Sequence, residues 1–455
     1  MLGVGPGPHL VLLSSMATFT TRNRMNRFWL STVWSVTAIL ALLVTTPAQG
    51  ALSCAGVFNT PNRPALMTEL NRDFVNGRDY DVRIPQQSEI KDQCNLGTCH
   101  LHAWATQLEV SYPKSDGTLM NLDTKYWAAK HLVRESYKVL RDKSSNAQLK
   151  VKVALGADPV YSRTVIMQEG ALPAGIWTPA RDFTVAPFSE RLQSDIANII
   201  ARSRMNQENA TTEEAKKAAM VESETKLLEV FKNVIGPLPE SFQYEGAQLT
   251  PQEFMTKYFS DFTRPLAKIT VQNDPRDPVV YKELHGGNVQ ILTSVNSLER
   301  IARELLDQGK PVYLSYEHAG KYVDKGSGTM AIGAWLRADE AKPLSRDERD
   351  LFDLRDGFHA VELIGYKLDP DTGRVSQWLM QNSWGDDSGD KGLYHMHRDF
   401  FRAFARDLTI YRDSKVTYPK NPNPAPANLD KEAAGKPAVE RTTNRKTLTL
   451  KKKTA

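Results

Sequence analysis

The run Gln377-Trp378-Leu379-Met380-Gln381-Asn382-Ser383-Trp384-Gly385 decides the fold. Gln377–Met380 reads as a buried strand, and Asn382 lies just past its end with an indole two residues further on. Before it, Asp369-Pro370-Asp371-Thr372-Gly373 is a turn, and before the turn His359–Tyr366 reads as another buried strand. Strands joined by so short a connection are expected side by side, which brings His359 and Asn382 together although 23 residues separate them. An amide that hydrogen-bonds one nitrogen of an imidazole fixes the ring's orientation, and Trp384 is expected to cover that bond. Upstream, a helix near Ser297–Gln308 leads into a strand at Pro311–Tyr316. Polar helical stretches come earlier still, at 124–142 and 190–235, the second interrupted at Asn206-Gln207-Glu208-Asn209. Helices first and strands later indicate the α+β class.

An oriented histidine suggests a nucleophile, and the segment Gln93-Cys94-Asn95-Leu96-Gly97-Thr98-Cys99 offers one. Leu101, Trp104, Ala105 and Leu108 then recur at helical spacing, so Cys99 should open a helix with that stripe on a core. A helix N-terminus beside an imidazolium stabilises a thiolate. Gly97 lets backbone approach closely, and Gln93, six residues before the cysteine, can place its amide near the same point. That amide and the Cys99 N–H would form an oxyanion hole, whose single donors are worth about 3 kcal/mol.

Taken together these segments resemble the papain-like cysteine peptidases. Asp92-Gln93 followed by Gly97-Thr98-Cys99 is similar to that family's glutamine and nucleophile segment, and His359-Ala360-Val361 with Ile364-Gly365-Tyr366 to its histidine strand. Gln381-Asn382-Ser383-Trp384-Gly385, continuing to Gly392-Leu393-Tyr394, is similar to its asparagine motif. Ile84-Pro85 resembles the usual start of the folded enzyme, and the loop Gly170–Pro179 the stretch that shapes the substrate cleft. The resemblance implies a two-lobed fold, a helical lobe carrying the nucleophile and an antiparallel β lobe carrying His and Asn. It also implies a cofactor-free, thioester-forming hydrolase with Cys99 as nucleophile, His359 as base, Asn382 as its orienter and Gln93 on the oxyanion. Three departures stand out. His100 follows the nucleophile where an aromatic is usual, and Leu96 stands where a paired cysteine is common. The interval from Cys99 to His359 is 260 residues, against about 130–150 in the familiar pattern. The excess implies helical insertions within 111–260.

The length of 455 residues with 41% hydrophobic content excludes a fibrous or wholly disordered chain. The net charge of +5 belongs to the ends: residues 1–50 carry +3 and residues 417–455 carry +6, leaving −4 for the middle, which has no nucleic-acid signature. Arg22, Arg24 and Arg27 precede the uncharged run Phe28–Val44 and then Ala48-Gln49-Gly50, an export signal with cleavage after Gly50. The expected product is periplasmic or secreted, with a short arm at 51–80, the peptidase domain at 81–416 and a disordered basic tail at 417–455, suited to an anionic envelope. Three cysteines leave one unpaired, and a Cys54–Cys94 bridge with Cys99 free is the pairing favoured here. His100 and His102 are expected beside the cleft, and the spacing of Cys94, Cys99, His100 and His102 fits no usual zinc pattern. Peptides or proteins are the expected substrates. Two other readings use the same fold: a binding protein without turnover, prompted by His100 and the insertions, and a cell-wall amide hydrolase or acyltransferase.

Overall fold

The structure is a computed structural model that describes residues 74–85, 87–142, 151–272, 276–332 and 357–422. The expected signal segment, Cys54 and most of the basic tail lie outside the described residues.

The chain enters through β1 (Val82–Arg83) and then builds a helical lobe. Its helices are α1 (Cys99–Ser111), α2 (Thr124–Arg141), α3 (Pro159–Glu169), α4 (Phe188–Asn209) and α5 (Glu213–Val234), followed by the hairpin β2 (Phe242–Tyr244) and β3 (Ala247–Leu249) and by α6 (Pro251–Tyr258). Side-chain caps start most of them. Asp123 accepts from the Tyr126 N–H, Asp158 from the Val160 N–H with Pro159 in the first turn, and Thr250 with Glu253 closes a reciprocal capping box. The helix α4 ends at Asn209, within the interruption read from the sequence. Leu192, Ile196 and Ile200 of α4 and Leu227, Phe231 and Val234 of α5, spaced three or four apart, pack into one cluster with Trp127, Leu132 and Leu140. These two long helices, in the expected insertion at 190–235, and the helix over the one expected at 124–142 thus share the helical lobe's own core.

The β lobe holds β4 (Leu266–Val271), β5 (Val280–Glu283), β6 (Val289–Thr293), α7 (Val295–Leu306), β7 (Val312–His318), β8 (Val323–Asp324) and β9 (Thr329–Met330). It continues with β10 (Gly357–Leu368), β11 (Val375–Gln381), β12 (Leu393–His397), α8 (Arg398–Phe404) and β13 (Ala405–Tyr411). Among the described residues eleven strands form one sheet in the order β5-β6-β4-β13-β7-β10-β11-β12-β9-β8, with β1 on β10. Pairing is antiparallel except for β4 with β6 and β12 with β9. The two-lobed α+β architecture follows.

The helix α1 lies where the lobes meet. Every residue from Cys99 to Glu109 is buried, so the expected apolar stripe is one face of a helix covered all round. Leu101, Trp104, Ala105 and Leu108 share a cluster with Tyr313 of β7 and Ala360 of β10. Burial on every side has forced polar residues to find partners: Glu109 forms an ion pair with Lys91 at 2.8 Å and accepts from the Leu122 N–H. At Gly365 a Cβ would sit 2.5 Å from the Val82 carbonyl oxygen, so glycine there lets β1 lie across β10.

Both flanks of the expected domain are tied to it where described. Gly77 donates its N–H to Gln377, and Tyr80 bonds His395 at 2.5 Å. After the last strand the Thr417 N–H donates to Glu304, and the Pro419 carbonyl accepts from Tyr281. Among the described residues no helix is long and apolar enough to cross a membrane.

Candidate active site

The strand β11 ends at Gln381 and delivers Asn382 beside β10, where His359 is the third residue. The register pairs Glu362 with Gln381, so the two strands diverge just where these side chains meet. His359 Nε2 and Asn382 Oδ1 lie 2.7 Å apart, with both residues buried. The same oxygen accepts from the Ser383 N–H at 2.8 Å. A backbone N–H can only donate, so the amide orientation is settled, Nε2 must carry the ring proton and Nδ1 keeps its lone pair. Trp384 stacks on the His359 ring at 4.6 Å and 28°. The structure thus brings His359 and Asn382 together with Trp384 over the ring.

Cys99 starts α1 after Thr98, which caps the helix with no side-chain bond. The first amides of the helix are left to the sulfur. Burial pushes the thiol up to about 11, against the N–H groups of Ala360, His100 and Cys99 itself, which favour the thiolate. Ala360 follows His359 directly, so β10 sets a backbone donor against the Cys99 thiol one residue beyond the imidazole. Burial also lowers His359 to about 4, opposed by its bond to Asn382. Burial thus opposes both members of the expected thiolate–imidazolium pair, while the N–H groups at Cys99 and the Asn382 bond at His359 favour it.

Gln93 is held at both ends of its amide. Ser383 Oγ donates to Oε1 at 2.7 Å, and Nε2 donates one hydrogen to the Leu96 carbonyl at 2.9 Å, which leaves the second. The backbones are joined as well, Gln93 N–H to Ser383 carbonyl at 2.9 Å and Gly385 N–H to Lys91 carbonyl at 3.1 Å. The glutamine segment and the asparagine motif thus form one small ladder. Gly97 has Gly156 as its neighbour, and a Cβ on Gly97 would meet the Gly156 nitrogen at 3.7 Å, an ordinary contact. Close approach within the protein does not require glycine there.

His100 turns away from the cleft into the helical lobe. Its Nε2 and that of His131 both lie within hydrogen-bond distance of the Leu155 carbonyl, at 2.8 and 3.0 Å, and the two rings meet edge to face. Burial lowers His100 to about 3, so it stays neutral. His102 is buried as well. No group of three or more His, Cys, Asp or Glu residues able to hold a metal occurs among the described residues. Cys99 is a free thiol, whereas Cys94 is disulfide-bonded.

The match to a family model for the peptidase C1-like family spans residues 188–420, just over half of the chain, and includes both His359 and Asn382. The chain belongs to that family. The matched span begins after the Cys99 segment, so the family match does not reach Cys99. Among curated relatives, aminopeptidase W of Lactobacillus delbrueckii subsp. lactis is 26% identical over 226 residues, 45% of this chain and 50% of that protein. Cysteine proteinase 1, mitochondrial, of Saccharomyces cerevisiae is 28% identical over 180 residues, 35% of each. The matches span half or less of these relatives' length. The crystal structure of PepW from Lactobacillus rhamnosis shares the fold with a TM-score of 0.57 at 16% identity, over 83% of this chain and 92% of that one.

One residue at the site escaped the sequence reading. His318, the last residue of β7, packs edge-on to Trp384 at 5.1 Å and lies 6.2 Å from the His359 ring. Its strand was read only as far as Tyr316, and a histidine at a strand end carries no signal of its own.

Proposed function

We propose that this chain is a cysteine peptidase that hydrolyses peptide bonds through Cys99, His359, Asn382 and Gln93. The 2.7 Å His359–Asn382 bond beneath Trp384 carries the reading, because it leaves the lone pair of Nδ1 free for a proton from Cys99. In the cycle, Cys99 Sγ attacks the substrate carbonyl carbon while its proton passes to His359 Nδ1. The oxyanion takes hydrogen bonds from the Cys99 N–H and the remaining Gln93 amide hydrogen. Collapse breaks the C–N bond, His359 returns the proton to the departing amine, and a thioester remains. Water, giving its proton to the same nitrogen, attacks the thioester carbon; the C–Sγ bond breaks, the carboxylic acid leaves and His359 returns the proton to Cys99 Sγ. The Arg22–Gly50 pattern supports an exported enzyme.

Burial of Cys99 and a thiol pushed up to about 11 favour one rival, a binding protein that keeps the fold without turnover. A thiol-directed epoxide and a fluorogenic peptide separate the two. The peptidase reading expects stoichiometric labelling of Cys99 near pH 7 and loss of hydrolysis in step with labelling. An unlabelled Cys99, or a Cys99→Ala protein that hydrolyses the peptide as well as the parent, would refute it.

A further inference from the structure

His318 sits opposite Gly357 in the β7–β10 ladder, as Tyr316 sits opposite His359. Residues 316, 318, 357 and 359 therefore share one face of the sheet. Among the described residues His318 meets three rings, Tyr316 at 6.1 Å and, from the site, His359 at 6.2 Å and Trp384 at 5.1 Å. His318 is 8% exposed, yet its Nδ1 is buried and has no hydrogen-bond partner among the described residues. A buried ring nitrogen without a partner is unfavourable, and an aromatic hydrocarbon would fill the same place without that penalty. Unpaired polar groups that persist beside a reactive site are groups a ligand can satisfy.

The chemistry indicates which part of the ligand. His359 takes a proton from Cys99 and must hand it to the departing nitrogen, so the departing half of the substrate lies against His359. The rings flanking His359, Trp384 at 4.6 Å, Tyr316 at 5.6 Å and His318 at 6.2 Å, then border that half, and of these His318 carries the imidazole. We propose that His318 is a specificity-determining residue whose ring nitrogen hydrogen-bonds the leaving peptide, so that the site favours substrates continuing as peptide beyond the cleaved bond. The proposal rests on His359 being the proton carrier. Burial, with His359 and Lys325 nearby, lowers His318 to about 3. The ring therefore works as a neutral donor or acceptor matched to a peptide group.

The test measures kcat/KM on two substrates with the same acyl half. One ends in an aryl amine with no peptide beyond the scissile bond, and the other is an internally quenched peptide that continues past it. The quantity of interest is the ratio of the two on one preparation, which is independent of the fraction of folded enzyme. His318→Phe should lower the peptide-to-arylamide ratio about tenfold, the loss of one hydrogen bond, and His318→Gln, which keeps a polar group, should recover part of it. An unchanged ratio in both variants overturns the proposal, whether activity holds or falls equally on both substrates. If the parent enzyme cleaves neither substrate and the epoxide leaves Cys99 unlabelled, the peptidase reading falls and this one with it. A labelled, active parent with an unchanged ratio removes this one alone.

Discussion

Replacing Asn382 separates orientation from proton affinity at the site. Its Oδ1 accepts from His359 Nε2 and from the Ser383 N–H, while its Nδ2 is buried without a partner among the described residues. Asn382→Ala strands two buried donors at about 1–3 kcal/mol each, so it should cost about 2–6 kcal/mol of stability and free the ring to rotate. Asn382→Asp keeps an oxygen for both donors and loses no donor bond. A carboxylate at hydrogen-bond distance favours the protonated imidazole and raises its pKa by about 1–3 pH units. Starting from about 4 in the parent, His359 would then titrate near ~5–7. Protonated His359 cannot accept the thiol proton, so activity falls as pH drops through that pKa. The acid limb of kcat/KM should therefore move upward in Asn382→Asp, with the parent still active near pH 5. Rates on a fluorogenic peptide from pH 4 to 9, with folding checked by circular dichroism at each pH, measure the shift. A folded Asn382→Asp enzyme whose acid limb coincides with the parent's would refute the assignment of that limb to His359.

Other substitutions test the surroundings. Gly97→Ala should leave thermal stability unchanged, because the added Cβ meets Gly156 at an ordinary 3.7 Å, and any rise in KM would then report substrate lying over Gly97. Gly365→Ala should destabilise markedly by setting a Cβ 2.5 Å from the Val82 carbonyl, seen as a lower denaturant midpoint and faster proteolysis of the 74–85 segment. Lys91→Met leaves the Glu109 carboxyl buried without its ion-pair partner and should cost about 3–5 kcal/mol in chemical denaturation. A loss below about 1 kcal/mol would show that Glu109 is already protonated in the fold.

Much of this was legible because the chemistry is local. The asparagine motif, the short turn after β10 and the histidine strand fixed a neighbourhood from one stretch of chain, and the helix after Cys99 followed from spacing. The strands β4, β6 and β13 were not read. Each is short and carries a polar or charged residue, Lys268, Gln290 or Asp407, that blurs its pattern, and the β4–β6 pair is parallel, so its partner choice depends on tertiary contacts. The helix α3 was missed although Asp158-Pro159 is a start signal by capping rules. His100 shows the opposite limit. Its position beside the nucleophile suggested a cleft residue, but a helix buried all round sends neighbouring side chains to different compartments, and the Leu155 carbonyl decides where the ring goes.

The small ladder between 91–93 and 383–385 bears on how the protein moves. Two lobes meeting at a cleft invite the picture of jaws on a hinge, yet here backbone bonds cross the seam beside the reacting groups. Opening the jaws would break the Gln93–Ser383 and Gly385–Lys91 bonds together with the Ser383–Gln93 side-chain bond. The amides of Gln93 and Gly385 should therefore exchange with deuterium only when the whole domain opens. Substrate would then enter a mouth of fixed width, and selectivity would lie in the side chains lining it.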